Sequence, residues 1–305
     1  MPAENGISHA STPSIAVALV QMNSGADKER NIAEALAGID RAAASGARLV
    51  VLPEVWTYLG PESGNRDAAE PIPGPLGDSL AARARQHGIY LHIGSVFEQV
   101  VGEPRLFNTS VVYDPSGEEV ARYRKIHLFD VDLDSGTAYR ESSTIAPGDE
   151  IVTFELDGVT VGLAICYDLR FPELFRILAL RGAEAIILPA AFTMTTGKDH
   201  WETLIRARAI ENSLYMVAVG QVGQHPPGLW CYGRSMVVDP WGTVIAQASD
   251  HPTVITAQIE SDYADAVRRQ VPSLRNRLPD RYEWPDEESR RAVPKAIPHP
   301  QYRTV

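Results

Sequence analysis

Cysteine is scarce in this sequence: Cys166 and Cys231 are the only two in 305 residues. Two thiols cannot make the disulfide framework of a small secreted scaffold, so a reducing compartment, the cytoplasm, is expected. Long apolar runs are missing as well: no stretch reaches the roughly 18 residues that a membrane-spanning helix needs. The segment from Met1 to Ser14 is small and polar and has no apolar centre, so it does not read as a signal peptide. Basic charge is also in deficit, with 28 Lys and Arg against 39 Asp and Glu and a formal charge of -11. Such a field repels polyanions, so neither nucleic acid nor an anionic membrane is an expected partner. The one Arg-rich stretch, after Val267, is interrupted by Asp and Glu.

What is present is ordinary globular material, 44% hydrophobic and 22% charged. At about 150 residues per domain the length allows two domains or one large layered one. Hydrophobic periodicity alternates between strand and helix. In the first half, 15–22 (IAVALVQM) reads as a buried strand, 28–45 as an Ala-rich helix ending before Gly46, and 47–53 as a strand. A helix over 76–88, a strand over 89–97 and a hairpin over 106–124 follow, the hairpin turning at Asp114-Pro115-Ser116-Gly117. The second half repeats the plan with strand 158–166, helix 171–181, strand 184–189, helix 198–211, strand 214–220 and hairpin 232–248.

Two local matches point to repetition: SGARLVVLPE at 45–54 against RGAEAIILPA at 181–190, and YDPSG at 113–117 against VDPWG at 238–242. Leu-Pro and Asp-Pro-x-Gly are also common punctuation, and it is the shared order of elements that gives the matches weight. Two αβ halves, each with a sheet face to bury, solve that problem by packing sheet on sheet with helices outside. This predicts an α/β fold, a four-layer αββα sandwich of two pseudo-symmetric halves. One domain over 14–284 is expected, between a flexible segment 1–13 and a tail 285–305. The crevice is expected at the ends of the strands that come first and third in each half. One asymmetry bears on chemistry: Glu54 follows Leu52-Pro53, whereas Ala190 follows Leu188-Pro189. A carboxylate added to one of two matching strand ends is a candidate for catalysis; a solvated glutamate is the alternative.

Cys166 closes an apolar run, and Pro172 follows at a place suited to the first turn of a helix. The thiol is then at a strand-to-helix elbow, where helix N–H groups and a nearby cation favour thiolate. A buried structural cysteine is the alternative. Cys231, between Trp230 and Tyr232, has no such elbow and reads as inert. A cysteine nucleophile needs a base. His127 and His200 read as packing residues, which leaves Glu54 and Lys125, although by spacing alone Lys125 reads more readily as a surface lysine. Asp130, Asp132, Asp134 and Glu141 fall at positions 1, 3, 5 and 12 of a calcium-loop pattern. Ser135 stands where that loop needs glycine and the segment follows a hairpin, so it reads as an acidic loop bordering the site.

The segments LPEVW at 52–56, YRKIHLFD at 123–130 and GLAICYDLRFPEL at 162–174 resemble the Glu, Lys and Cys motifs of the nitrilase superfamily of carbon-nitrogen hydrolases. RESSTIAPGD at 140–149, AFTMTTGKDHWETLIRARAIEN at 191–212 and SMVVDPWGTVIA at 235–246 extend the likeness, which runs from about residue 14 to 284. The resemblance implies the αββα fold, a triad of Glu54, Lys125 and Cys166, a second carboxylate at Glu141, and no metal or organic cofactor. On chemical grounds, Lys125 and the amide N–H of Tyr167 suit a developing oxyanion. Glu54 suits the proton transfers that form a thioester and then hydrolyse it.

Cys166-Tyr167-Asp168, followed by Arg170-Phe171-Pro172-Glu173, is similar to the branch containing omega-amidase and deaminated-glutathione amidase. Enzymes attacking true nitriles carry Cys-Trp-Glu there. The resemblance implies release of ammonia from a small carboxylate-bearing amide. An N-carbamoyl amino acid hydrolase or a nitrilase with the same triad is the alternative within the superfamily, and a catalytically silent interaction scaffold the alternative outside it. Arg170 is a candidate for bidentate binding of a substrate carboxylate, against the alternative of an ion pair with Glu173 or another acid. Thr196, placed in a loop before the next helix, is a candidate hydroxyl donor. After Ser261 a helix (YADAVRRQV) and an Arg/Pro-rich segment, Pro272 to Trp284, are expected. Such tails, and the helix after the nucleophile, commonly take part in dimer contacts in this family, which implies a homodimer.

Overall fold

Strand β1 (Ser14–Gln21) divides its side chains between two cores. Ile15, Val17 and Leu19 belong to one buried cluster, Ala18 and Val20 to another. A strand apolar on both faces belongs in a sheet covered on both sides. The structure, a computed structural model, describes residues 14–132 and 138–282. The expected flexible start 1–13, the tail 285–305, and Asp134 and Ser135 of the calcium-like pattern lie outside the described residues.

After β1 come α1 (Lys28–Ala44), β2 (Leu49–Val51), α2 (Asn65–Ala68), α3 (Pro75–His87), β3 (Tyr90–His92), β4 (Val96–Glu98), β5 (Phe107–Tyr113) and β6 (Glu119–Arg124). The connection between halves carries β7 (Asp130–Asp132), β8 (Ala138–Arg140) and β9 (Thr153–Leu156). The second half runs β10 (Val159–Leu163), α4 (Pro172–Leu180), β11 (Ala185–Ala190), α5 (Met194–Asn212) and β12 (Tyr215–Gly220). Then follow β13 (Val222–His225), β14 (Leu229–Tyr232), β15 (Met236–Val238), β16 (Val244–Gln247), β17 (Thr253–Glu260) and α6 (Ser261–Gln270). Local chemistry marks the helix ends. Asp27 accepts the Arg30 N–H to start α1, while α3 has Pro75 in its first turn and stops at left-handed Gly88.

Among the described residues one sheet has the order β17-β1-β2-β3-β5-β4, with β6 on β5, and the other β16-β15-β12-β11-β10-β9. The halves agree in register as well as in order. Val17 faces Leu49 and Leu91 faces Tyr113 in the first; Val161 faces Ala185 and Met216 faces Val238 in the second. Both hairpins shift register at the matching place, Val112/Tyr113 and Val237/Val238. Between the sheets, Val17, Leu19 and Val51 share a core with Val161, Leu163 and Val217. Ala35 and Ile39 of α1 and Leu80 of α3 cover the first sheet, and Leu178 of α4 lies against Gly162 and Ile186 of the second. This is the αββα sandwich expected from the sequence. Among the described residues no helix is long and apolar enough to cross a membrane.

Beyond the short added elements α2 and β7 to β9, the structure departs from the expected elements in four places. The strand over 89–97 is two strands, because Gly94 at φ +66 bends the chain hard against the Leu52 and Pro53 carbonyls, where any Cβ would collide. The hairpin expected over 232–248 begins at Met236, since Leu229–Tyr232 pairs with Val222–His225 instead. The fourth long helix starts at Met194, so Thr196 lies in its first turn and not in a preceding loop. Strand β17, absent from the sequence reading, pairs with β1 along its whole length.

Candidate active site

Glu54 follows β2 and is buried, and its carboxylate is held from three directions. Asn108 Nδ2 (2.9 Å) and Lys125 Nζ (3.0 Å) donate to Oε1, and the Ala191 N–H donates to Oε2 at 2.7 Å. Ala191 follows β11, so the matching strand end of the second half supplies a backbone donor to the carboxylate of the first. The approach of Gly94 also serves this place: Ser95 N–H bonds to Pro53 O, and the Val55 N–H to Ser95 Oγ.

Lys125 follows β6 and is buried too. Its ammonium donates to Glu54 and, at 3.0 and 2.9 Å, to both oxygens of Glu141. Burial pulls the lysine pKa down, but the Glu141 and then the Glu54 carboxylates outweigh it and hold the ammonium well above its ordinary value. Glu141 opens a short turn after β8 and also accepts the Phe129 N–H at 2.6 Å.

Cys166 follows β10 at φ +46, a left-handed conformation that is strained for a residue with a Cβ, and it begins a tight turn that runs to Arg170. Burial and then the Glu54 carboxylate push its thiol well above the usual range, and Lys125 offsets only part of this. Burial and the nearby carboxylate thus favour the thiol form, against the pull toward thiolate expected of the elbow. Tyr167 is the second residue of this turn, where a backbone N–H has no partner within the turn.

Glu54, Lys125, Glu141 and Cys166 line one cavity of about 480 Å³, together with Tyr167, Arg170 and Thr196. The expected placing at first and third strand ends holds only in part: Cys166 stands at the end of the expected first strand of the second half and Phe97 at the end of the expected third strand of the first, but the crevice draws on other strand ends too. It gathers the ends of the second strand of each half, β2 and β11, with those of β6 and β10. Phe129, Phe192, Pro226 and Leu229 give the cavity an apolar wall. Arg170 is not paired with Glu173: both terminal nitrogens lie 3.3 Å from His200 Nδ1, and the guanidinium sits 5.3 Å from the Phe192 ring centre. Among the described residues no carboxylate is paired with it. The Thr196 hydroxyl lies 3.0 Å from that of Thr193.

The remaining candidates have other employment. Asp130 accepts the Ser142 N–H, Asp132 pairs with Arg140, and Glu141 is held by Lys125. Among the described residues no group of three or more His, Cys, Asp or Glu side chains is placed to hold a metal ion. Cys231 is fully buried in β14, and burial, then Glu54, raise its thiol pKa. Sequence reasoning missed Asn108 and Ala191. For Asn108 a signal exists, since Asn108-Thr109-Ser110 is a polar triplet buried inside strand β5. A backbone donor such as Ala191 leaves none.

Known proteins place this chain in a family. A family model described as carbon-nitrogen hydrolase matches residues 16–269. The chain is 40% identical over 269 residues to the deaminated glutathione amidase of Synechocystis, covering 87% of this chain and 98% of that protein. It is 38% identical over 269 residues to human omega-amidase NIT2, covering 88% and 97%. Among solved structures the NitFhit protein of C. elegans has a TM-score of 0.84 at 37% identity, covering 89% of this chain and 67% of that one. The chain belongs to the carbon-nitrogen hydrolase family within the nitrilase superfamily, and it is an enzyme of amidase type.

Proposed function

We propose that this enzyme releases ammonia from a small carboxylate-bearing amide through a thioester on Cys166, as an omega-amidase-like or deaminated-glutathione-amidase-like hydrolase. The observation that carries the reading is the cluster in which one buried ammonium is shared by two carboxylates in the cavity that Cys166 also lines. Attack by Cys166 Sγ on the amide carbon transfers the thiol proton to Glu54, while Lys125 and the Tyr167 N–H hold the oxyanion. Collapse breaks the C–N bond as Glu54 returns that proton to the departing nitrogen, giving ammonia and the thioester. Glu54 then takes a proton from water, whose oxygen attacks the thioester carbon. The carboxylic acid leaves and the thiol is restored.

Glu141 keeps Lys125 charged and in place, and draws part of its charge away from Glu54, which must act as a base. Arg170, paired with no carboxylate among the described residues, is placed to bind the substrate's carboxylate, with Thr196 as a hydroxyl donor. An acidic protein, of charge -11, needs such a local cation to hold an anionic substrate. The reading is tested by ammonia release from 2-oxoglutaramate, deaminated glutathione, carbamoyl amino acids and simple nitriles. Turnover is expected to be fastest on the first two; turnover confined to nitriles or carbamoyl compounds would contradict it.

The same reading makes 14–284 a single catalytic domain and the working form a homodimer in a reducing compartment. Ile177 and Leu180 on α4, Ile210 on α5 and Trp241 are exposed apolar side chains that support a contact on this side of the molecule. Light scattering at micromolar concentration is expected to give twice the chain mass, and a monomer would contradict the dimer.

A further inference from the structure

Asp168 is completely buried in the turn that begins with Cys166. A carboxylate only accepts hydrogen bonds and has room for about four donors; here four donors reach it. Oδ2 accepts the Ile165 N–H at 2.8 Å and the Tyr123 hydroxyl at 2.7 Å. Oδ1 accepts the His127 N–H at 3.1 Å and His127 Nδ1 at 2.7 Å.

The donors come from two distant stretches of chain. Ile165 immediately precedes Cys166, whereas Tyr123 and His127 stand two residues before and two after Lys125. One carboxylate therefore ties the strained turn holding the sulfur to the strand end holding the ammonium. His127 is fixed further by stacking on Phe171, with ring centres 3.6 Å apart and planes at 8°. Phe171 in turn bonds through its N–H to Asp168 O. Neither Asp168 nor His127 lines the cavity, so neither touches substrate.

We propose that Asp168 is a positioning residue that sets Lys125 relative to the Cys166 sulfur, and so sets how well the developing charge is stabilised during attack. The inference rests on the reading of Cys166 and Lys125 given above. Asparagine cannot replace the carboxylate. Whichever way its amide turns, the NH2 group faces a backbone donor, the buried Ile165 N–H or the part-buried His127 N–H, and leaves it unpaired. The donor set then loosens on one side of the bridge, and the lysine and the sulfur are no longer held as a unit.

The test uses the full-length protein with Asp168→Asn, Tyr123→Phe and Cys166→Ala, measuring ammonia release and the pH profile of Cys166 alkylation by iodoacetamide, with Cys231 as internal control. Folded Asp168→Asn is expected to lose at least about 30-fold in kcat with KM changed by less than about threefold. Its alkylation midpoint moves to higher pH, because Lys125 then offsets less of the thiol's burial. Tyr123→Phe removes one donor and no backbone contact, and is expected to lose about threefold to tenfold in kcat with the same direction of shift. A folded Asp168→Asn with wild-type kcat and alkylation profile, beside an inactive Cys166→Ala, overturns the role of Asp168 alone. An active Cys166→Ala overturns the underlying reading of the site. Should Asp168→Asn fail to fold, unchanged kcat and midpoint in Tyr123→Phe overturn the proposal.

Discussion

The Leu52-Pro53 and Leu188-Pro189 strand ends occupy the same place in the two halves. Val51 faces His92 in the first half, and Ile187 faces Val217 in the second. Beyond that shared frame they differ in what they deliver. The first supplies the Glu54 carboxylate, and the second supplies the Ala191 N–H that grips it at 2.7 Å. Repetition thus brings two strand ends together at the cavity, and a single residue puts a carboxylate on one of them while the other supplies a backbone N–H to hold it; in the proposed mechanism the first does the chemistry. The same frame also carries a second asymmetry, a buried histidine, His92, where the other half has valine. At the opposite end of β2, Arg48 pairs with Asp157 at 2.5 Å, far from the cavity and half in solvent.

Three changes probe this comparison, in falling order of effect. Glu54→Gln erases the difference in charge between the strand ends while keeping shape, and kcat is expected to fall by roughly 10³-fold; its NH2 group must face either the Ala191 N–H or the Asn108 and Lys125 donors, so the melting temperature is expected to fall as well. Steady-state kinetics beside calorimetry check both parts. His92→Val makes the second asymmetry vanish. His92 is pushed down to about 3 by burial, against 6.5 unfolded. The unfolded chain therefore binds the extra proton between these values, and stability is lost as pH falls through that window. From pH 7 to pH 4 the loss attributable to His92 is about 3 kcal/mol. The valine variant forfeits the bond from the Gly94 N–H to His92 Nδ1 and is expected to be about 1 kcal/mol weaker at pH 7. It is more stable than wild type at pH 4, so urea titrations at the two pH values should cross. Asp157→Ala removes a half-exposed pair and is expected to cost no more than about 1 kcal/mol, less in high salt, with kcat untouched.

Glu54 is legible in the sequence because the repeat provides a second copy in which alanine stands at its place. Cys166 is legible from its elbow, and Lys125 and Glu141 from motifs. The structure brings all four to one cavity. The turns are equally plain: Asp114 and Asp239 each accept two backbone N–H groups across matching Asp-Pro-x-Gly loops. Strand β17 alternates visibly, but its partner β1 is more than two hundred residues away, and nothing local says that these two strands pair. The start of α5 is hidden for another reason. Its first turns contain Thr195, Thr196 and Gly197, poor helix formers, and Gly197 is needed because a Cβ there would strike Tyr232. The upward push on the Cys166 thiol is the largest gap, since sequence shows the nearby lysine but neither the depth of burial nor the closeness of Glu54.

The most direct test of the account is intact-mass analysis of quenched turnover on a carboxylate-bearing amide, wild type against Cys166→Ala. The account predicts a transient acyl adduct that maps to the peptide containing Cys166, and neither adduct nor ammonia release in the alanine variant. An alanine variant that hydrolyses the amide at the wild-type rate, or an adduct that maps to Cys231, would contradict it.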